Sequence, residues 1–249
     1  LKGFKLKTNT GKLVSLNQFK KTAEFGGKGA NFSTRDEDHA LASLNKQLLE
    51  VMELTGYSFV KIKINNKIHD VIKAESTTGT PKSDFHLINT NGEECCWISH
   101  KAGSKPTDFQ QWGGMTKRSE PDIYKHKEVQ DFVQAVKTEY NDELPRATTV
   151  YRKIKDNKLK NMAVYGNEYG SKESRQNVSM LLQGTIKLIK SGDYYELSAT
   201  NVHYNGDRIS GDFEPVLAAI HKRDRSNFKI KYARFGIIPI KSRKMTKEI

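Results

Sequence analysis

The stretch Lys82-Ser83-Asp84-Phe85-His86-Leu87-Ile88, followed by Asn91-Gly92 and then Cys95-Cys96-Trp97-Ile98-Ser99-His100-Lys101, is the most informative part of the 249-residue sequence. An Asn-Gly pair between two runs of β-forming residues predicts a hairpin. Alternate residues of a strand share a face, so Ser99 and Lys101 point together while Ile98 and His100 point to the other side. Counting back from the turn sets Asp84, at the start of the first strand, beside Lys101, at the end of the second. A carboxylate then meets an ammonium group next to a hydroxyl. An ordinary surface ion pair has that form. So does a centre for phosphodiester hydrolysis, in which an acid holds a divalent metal and a lysine orients water and stabilises developing negative charge.

Moving outward, Val60, Ile62 and Ile64 alternate with Lys61 and Lys63 before a turn at Asn65-Asn66, which predicts a second strand pair returning through residues 68–72. Upstream, Thr34 with Glu37 three residues on reads as a capping box, and Leu41, Leu44, Leu48 and Val51 recur at helical spacing until Gly56, so a helix is predicted over 35–54. Residues 1–20 read as a basic hairpin turning at residues 8–11. Downstream, residues 107–112 read as a short helix closed by Gly113-Gly114. Val129, Phe132, Val133, Val136 and Tyr140 mark a long amphipathic helix over 127–140, and from about residue 146 the pattern is mainly strands. These elements predict an α/β fold: a mixed central sheet flanked by the 35–54 and 127–140 helices. The expected division is a core over 1–145 with its N-terminal hairpin, and a β-rich basic extension over 146–249 packed on it.

Composition bounds the chemistry. Lys and Arg total 42 against 29 acids, a net charge of +13, and the basic residues are spread along the chain. A folded protein this basic is drawn to polyanions, of which nucleic acid is the commonest. No run approaches the roughly 18 apolar residues of a membrane span, and no secretory segment is visible, so the expected setting is cytoplasmic without membrane association. The two cysteines, Cys95 and Cys96, are adjacent, which suits neither a disulfide framework nor a zinc site. The densest basic segment contains Arg223, Arg225, Lys229, Lys231 and Arg234, with Phe228, Tyr232 and Phe235 interleaved. It reads as a nucleic-acid-binding flank that fixes phosphates, although its alternation also fits a plain half-exposed strand. The cluster Phe25-Gly26-Gly27-Lys28-Gly29 lacks the spacing of a P-loop; it reads as a phosphate-contacting loop with Lys28 supplying charge, or as a connector.

The Lys82-Ser83-Asp84 segment, the hairpin and Ile98-Ser99-His100-Lys101 together resemble the PD-(D/E)xK nuclease motif, and within that superfamily the phage-encoded endonuclease-like proteins. Residues 21–29, Phe109-Gln110-Gln111-Trp112-Gly113-Gly114 and Pro215-Val216-Leu217-Ala218-Ala219 carry further resemblance. It implies a restriction-endonuclease-like core and a Mg²⁺- or Mn²⁺-dependent endonuclease acting on DNA, double-stranded in the first instance, in a host cytoplasm, with a homodimer as one arrangement open to it. Asp84 would be the metal ligand, Lys101 the water activator or electrostatic stabiliser, and Ser99 a polar helper. The sequence departs from the motif twice: Ser83 stands where proline is usual, and Ser99 where the second acid is usual. A copy that binds DNA without cutting it has the same appearance, as does a phage protein that binds a host protein. For the replacement acid, Glu37 is the first candidate, since it lies one turn before Leu41, and Glu24 the second; Gln111 could orient water or contact a phosphate.

Overall fold

The computed structural model describes residues 5–7, 13–15 and 28–249 apart from 80, 109, 110, 119, 142 and 224–230; side chains are described from Glu37 onward, except those of 223, 231 and 232. The elements in order are β1 (Lys5–Lys7), β2 (Leu13–Ser15), α1 (Lys28–Thr55), β3 (Val60–Ile64), β4 (Lys67–Ser76), β5 (Phe85–Asn89), β6 (Glu94–Lys101), β7 (Gly113–Gly114), α2 (Pro121–Lys125), α3 (Lys127–Tyr140), β8 (Thr149–Lys153), α4 (Asn157–Tyr165), β9 (Met180–Gln183), β10 (Lys187–Ser191), β11 (Tyr194–Ser198), β12 (Asn201–Tyr204), β13 (Pro215–Arg223), β14 (Lys231–Pro239) and β15 (Lys247–Glu248).

The fold is α/β and is organised by two larger sheets. An 8-stranded mixed sheet runs β10-β11-β3-β4-β5-β6-β9-β12, and a 5-stranded sheet runs β15-β8-β13-β14-β7. The two central hairpins form where the sequence places them. Asn65 takes the left-handed conformation with φ 53° in the β3–β4 turn, and Gly92 does so with φ 80° between β5 and β6. β1 and β2 pair antiparallel, and the turn predicted between them lies outside the described residues. Strands from both sides of residue 145 lie together in each large sheet.

Each face of the larger sheet has its own core. Leu44 and Leu48 of α1 are fully buried against Ile62, Phe85, Leu87, Cys96 and Ile98. Each such aliphatic side chain contributes about 1.5–3 kcal/mol relative to exposure. The opposite face, through Trp97 and Leu181, joins a second core with α3, α4 and the inner face of the smaller sheet, including Phe132, Leu159, Leu217 and Ile237. Helix α4 touches β7, β9 and β13, which places it between the sheets.

Three sequence expectations are corrected. Helix α1 begins at Lys28, so Thr34 lies inside it rather than at its N-cap; the Thr34/Glu37 spacing imitates a helix start. Where a helix was expected over 107–112, the described residues hold a 3-10 turn at Pro106–Asp108, and Trp112 instead donates its amide to the Ile237 carbonyl at 2.7 Å, beside the pairing of Gly113 and Gly114 with β14. The region after residue 146 contains α4, whose N-cap Asp156 accepts a hydrogen bond from the Lys158 amide; its Leu159, Met162 and Ala163 are buried on one side. The predicted 127–140 helix is α3 with the same bounds.

Candidate active site at the end of the central hairpin

The site arises where one strand stops and its neighbour continues. Pairing between β5 and β6 reaches Phe85 opposite Ile98, and the Asp84 amide donates to the Ile98 carbonyl at 2.9 Å. Beyond that point β6 runs on beside the parallel strand β9, with Ser99 next to Leu181 and Lys101 next to Gln183. The β5 side of β6 is then left with an amide, that of His100, which has lost its strand partner. Buried backbone donors require an acceptor, and the Asp84 carboxylate supplies it: His100 N–H donates to Oδ2 at 2.6 Å. Ser99, completely buried, donates its hydroxyl to the same oxygen at 3.2 Å. Lys101 Nζ stands 3.8 Å from Oδ2. Asp84, Ser99 and Lys101 thus converge as the strand count requires. The side chains of Asp84 and Lys101 retain 19% and 22% exposure, enough for a ligand to reach both. All these contacts fall on Oδ2, which leaves Oδ1 without a hydrogen-bond donor among the described residues.

The segment entering Asp84 is held from several directions. The amides of Lys82 and Ser83 both donate to the Arg175 carbonyl, at 3.1 and 3.0 Å, and the Arg175 guanidinium pairs with Glu94 on β6. Ser83 Oγ donates to the Phe85 carbonyl at 2.8 Å and lies 3.1 Å from Thr77 Oγ1, which is 2.9 Å from His86 Nδ1. Lys82 sends its side chain inward, and its ammonium donates to the carbonyls of Trp112 at 2.6 Å and Ala163 at 2.8 Å. Although part of the residue reaches the surface, that ammonium is enclosed. Burial first, and then the charge of Lys101, push its pKa down to about 7, against the opposing pull of Glu120 and Asp84. Lys82 therefore belongs to the electrostatic surroundings of Asp84 and Lys101 and ties their segment to the second sheet and to α4. The sequence carried no sign of this, because both acceptors are main-chain groups far along the chain.

The other candidates are distributed as follows. His86 shares the face of Asp84, as alternation implies, but its ring is engaged with Thr77 and lies 3.5 Å from Glu94. His100 points to the opposite face and meets the Gly184 carbonyl at 2.8 Å. Glu37 is carried on α1, which covers that opposite face; the neighbouring cavity is lined by His39, Ala40, Ser43 and His100. Glu120, which sequence reasoning passed over, lies on the Lys82 side, lining a cavity with Lys82, Asn167 and Glu168. Gln111 accepts a hydrogen bond from Arg234 at 2.8 Å, which joins two residues predicted for separate roles. Lys28 lies in the first turn of α1, and Arg223 and Lys231 in β13 and β14, with side chains not described. Glu24, Arg225 and Lys229 lie outside the described residues. Cys95 and Cys96 are free, and burial raises both thiol pKa values. Among the described residues no three His, Cys, Asp or Glu side chains gather as a ready metal cluster. No described helix is long and apolar enough to cross a membrane.

No protein-family model matches this sequence, and no solved structure matches it. The chain is similar to the type II restriction enzyme CviJI of Paramecium bursaria Chlorella virus IL3A, with 31% identity over 199 residues, covering 70% of this chain and 54% of that enzyme. It spans about half the length of this viral restriction enzyme.

Proposed function

We propose that this protein is a divalent-metal-dependent DNA endonuclease of the PD-(D/E)xK type whose centre is Asp84, Ser99 and Lys101. The observation that carries the reading is the convergence of these three side chains where β5 ends and β6 continues, with a carboxylate oxygen of Asp84 left available. The similarity to a viral restriction enzyme supports DNA as substrate, and the net charge of +13 agrees with it. Mg²⁺ binds through one or two carboxylates together with water and substrate phosphate oxygens, so a single protein carboxylate beside a phosphate suits it. Asp84 would hold the metal through Oδ1. The bound ion would polarise the phosphate and acidify a water.

The protein's own groups then have distinct tasks. Ser99 and the His100 amide fix the Asp84 carboxylate through Oδ2, so that it does not rotate away from a ligand at Oδ1. Lys101, a partly exposed cation, would orient the attacking water and stabilise charge on the phosphate oxygens. Lys82 positions the Asp84 segment. For the second acid, Glu120 is favoured over Glu37, since its charge acts on Lys82 together with that of Asp84 whereas Glu37 is carried over the other face.

The test is an incubation of purified protein with supercoiled plasmid in Mg²⁺, Mn²⁺ or EDTA, with Glu120→Gln and Glu37→Gln alongside. Nicked or linear product is expected with either metal and none with EDTA. Glu120→Gln is expected to need several-fold more metal for half-maximal rate, and Glu37→Gln to behave as the parent. Binding of plasmid without cleavage at any metal concentration would support the reading of a non-cutting DNA-binding protein instead.

A further inference from the structure

The outer face of the smaller sheet holds a second concentration of positive charge. β14 turns Ala233, Phe235 and Ile237 toward the large core, so that Arg234, Gly236 and Ile238 face the other way. After β14 the chain folds back over this face, and Ile240 and Met245 pack on Val216, Ala218, Ile220 and Ile238. The returning segment lays Arg243 over the same face, close enough to Arg234 to feel its charge. Arg234 is oriented by the hydrogen bond from Nη2 to Gln111 Oε1 at 2.8 Å. Glycine at 236 makes room for that pairing: a Cβ there would lie 3.3 Å from the Gln111 oxygen.

Arg243 is the unusual member. Its Nε is buried and has no acceptor. Burial and then the charge of Arg234 both disfavour its ionised form, yet a guanidinium cannot escape by losing its proton. No carboxylate among the described residues pairs with either arginine, although acids answer cations elsewhere, as Glu214 does Lys160 and Glu94 does Arg175. Two guanidiniums of one sign, one fixed by an amide and the other with a buried donor left over, thus share this face without an anionic partner among the described residues. Guanidinium forks match the paired oxygens of a phosphate group.

We propose that Arg234 and Arg243 form a phosphate-oxyanion site on the outer face of the five-stranded sheet, and that it takes a backbone phosphate of the DNA away from the scissile bond. The oxyanion site stands on the buried, unpartnered Nε of Arg243 in the segment folded over this face and on the Gln111-held guanidinium of Arg234; its assignment to DNA rests on the nuclease reading. Free inorganic phosphate offers the same chemistry, and the experiment separates the two.

One arm measures binding of short duplexes of unrelated sequence by fluorescence anisotropy without divalent metal, over a range of NaCl, for the parent, Arg243→Gln and Arg243→Lys. Arg243→Gln is expected to weaken all duplexes by a similar factor and to flatten the plot of log affinity against log salt by about 0.9, the amount for one phosphate contact. Arg243→Lys is expected to keep the parental slope. The other arm follows thermal unfolding of the parent over a low-millimolar titration of sodium phosphate at constant ionic strength in NaCl, too dilute for general salt exclusion, where a saturating rise in Tm is expected. This arm needs no variant, so a misfolded Arg243→Gln would not remove it. A phosphate effect with parental slopes in a folded Arg243→Gln would overturn the DNA assignment in favour of free phosphate. Parental slopes with no phosphate effect would overturn the site. Since neither arm involves cleavage, a protein that binds DNA without cutting it would contradict the nuclease reading and leave this result interpretable.

Discussion

Lys101→Ala is expected to lower the rate of DNA cleavage by at least about a hundredfold while leaving the protein folded, because positioned electrostatic and proton-transfer groups contribute about that much. The structural cost is small by comparison. Lys101 is the last residue of β6, is partly exposed, and makes one described ion pair, at 3.8 Å to Asp84. Pairs of that kind contribute about 0–1 kcal/mol. Rates on a labelled duplex, set beside thermal unfolding of the same preparations, check both halves of the expectation. Cleavage within a few-fold of the parent would move the chemistry away from this hairpin.

Lys82→Met is expected to affect both stability and rate. The substitution leaves the Trp112 and Ala163 carbonyls without their donor, and an unsatisfied buried polar group costs about 1–3 kcal/mol. Removing an enclosed charge offsets part of that loss, so a net destabilisation of about 2 kcal/mol is expected. The rate should fall about tenfold, because the Asp84 segment loses its tie to Trp112 and to α4, and a misplacement of about 1 Å at a reacting group costs rate on that scale or more. A pH series separates the electrostatic role from packing. The Lys82 pKa is about 7 in the fold and near 10.5 when free. Between those values the unfolded chain binds the extra proton, so this group makes parental stability rise with pH across that window. Lys82→Met should lack that rise. Parallel stability–pH curves for the two proteins would show that Lys82 is not the titrating group.

What the sequence disclosed, and what it concealed, follows from the range of the interactions involved. The β5–β6 hairpin was legible because its turn chemistry and its alternation are local, and those two features alone bring Asp84, Ser99 and Lys101 together. The long helix α3 was legible because its apolar stripe is strong. The start of α1 was not, since a Thr-x-x-Glu spacing inside a helix looks the same as one at its end. Helix α4 was obscured by its short length, although Asp156 was a usable cap signal. Gly113-Gly114 read as a terminator, and only pairing with distant β14 makes it a strand. The roles of Lys82, Arg175 and Glu120 around the candidate site depend on contacts between residues far apart in the chain, which no periodicity encodes. Glu37 lies within helix α1. Alternation in β6 then sets that helix against the face that Lys101 does not use.

The most direct test of the central claim replaces Asp84 with asparagine, which keeps the size of the side chain and an oxygen able to accept from the His100 amide but removes the charge. Parent and Asp84→Asn, matched by circular dichroism and thermal unfolding, would be compared for Mg²⁺-dependent cleavage of one end-labelled duplex under single-turnover conditions. The account predicts metal-dependent strand breaks from the parent and a rate at least about a hundredfold lower from Asp84→Asn, with the fold retained. Equal rates from the two folded proteins would contradict it.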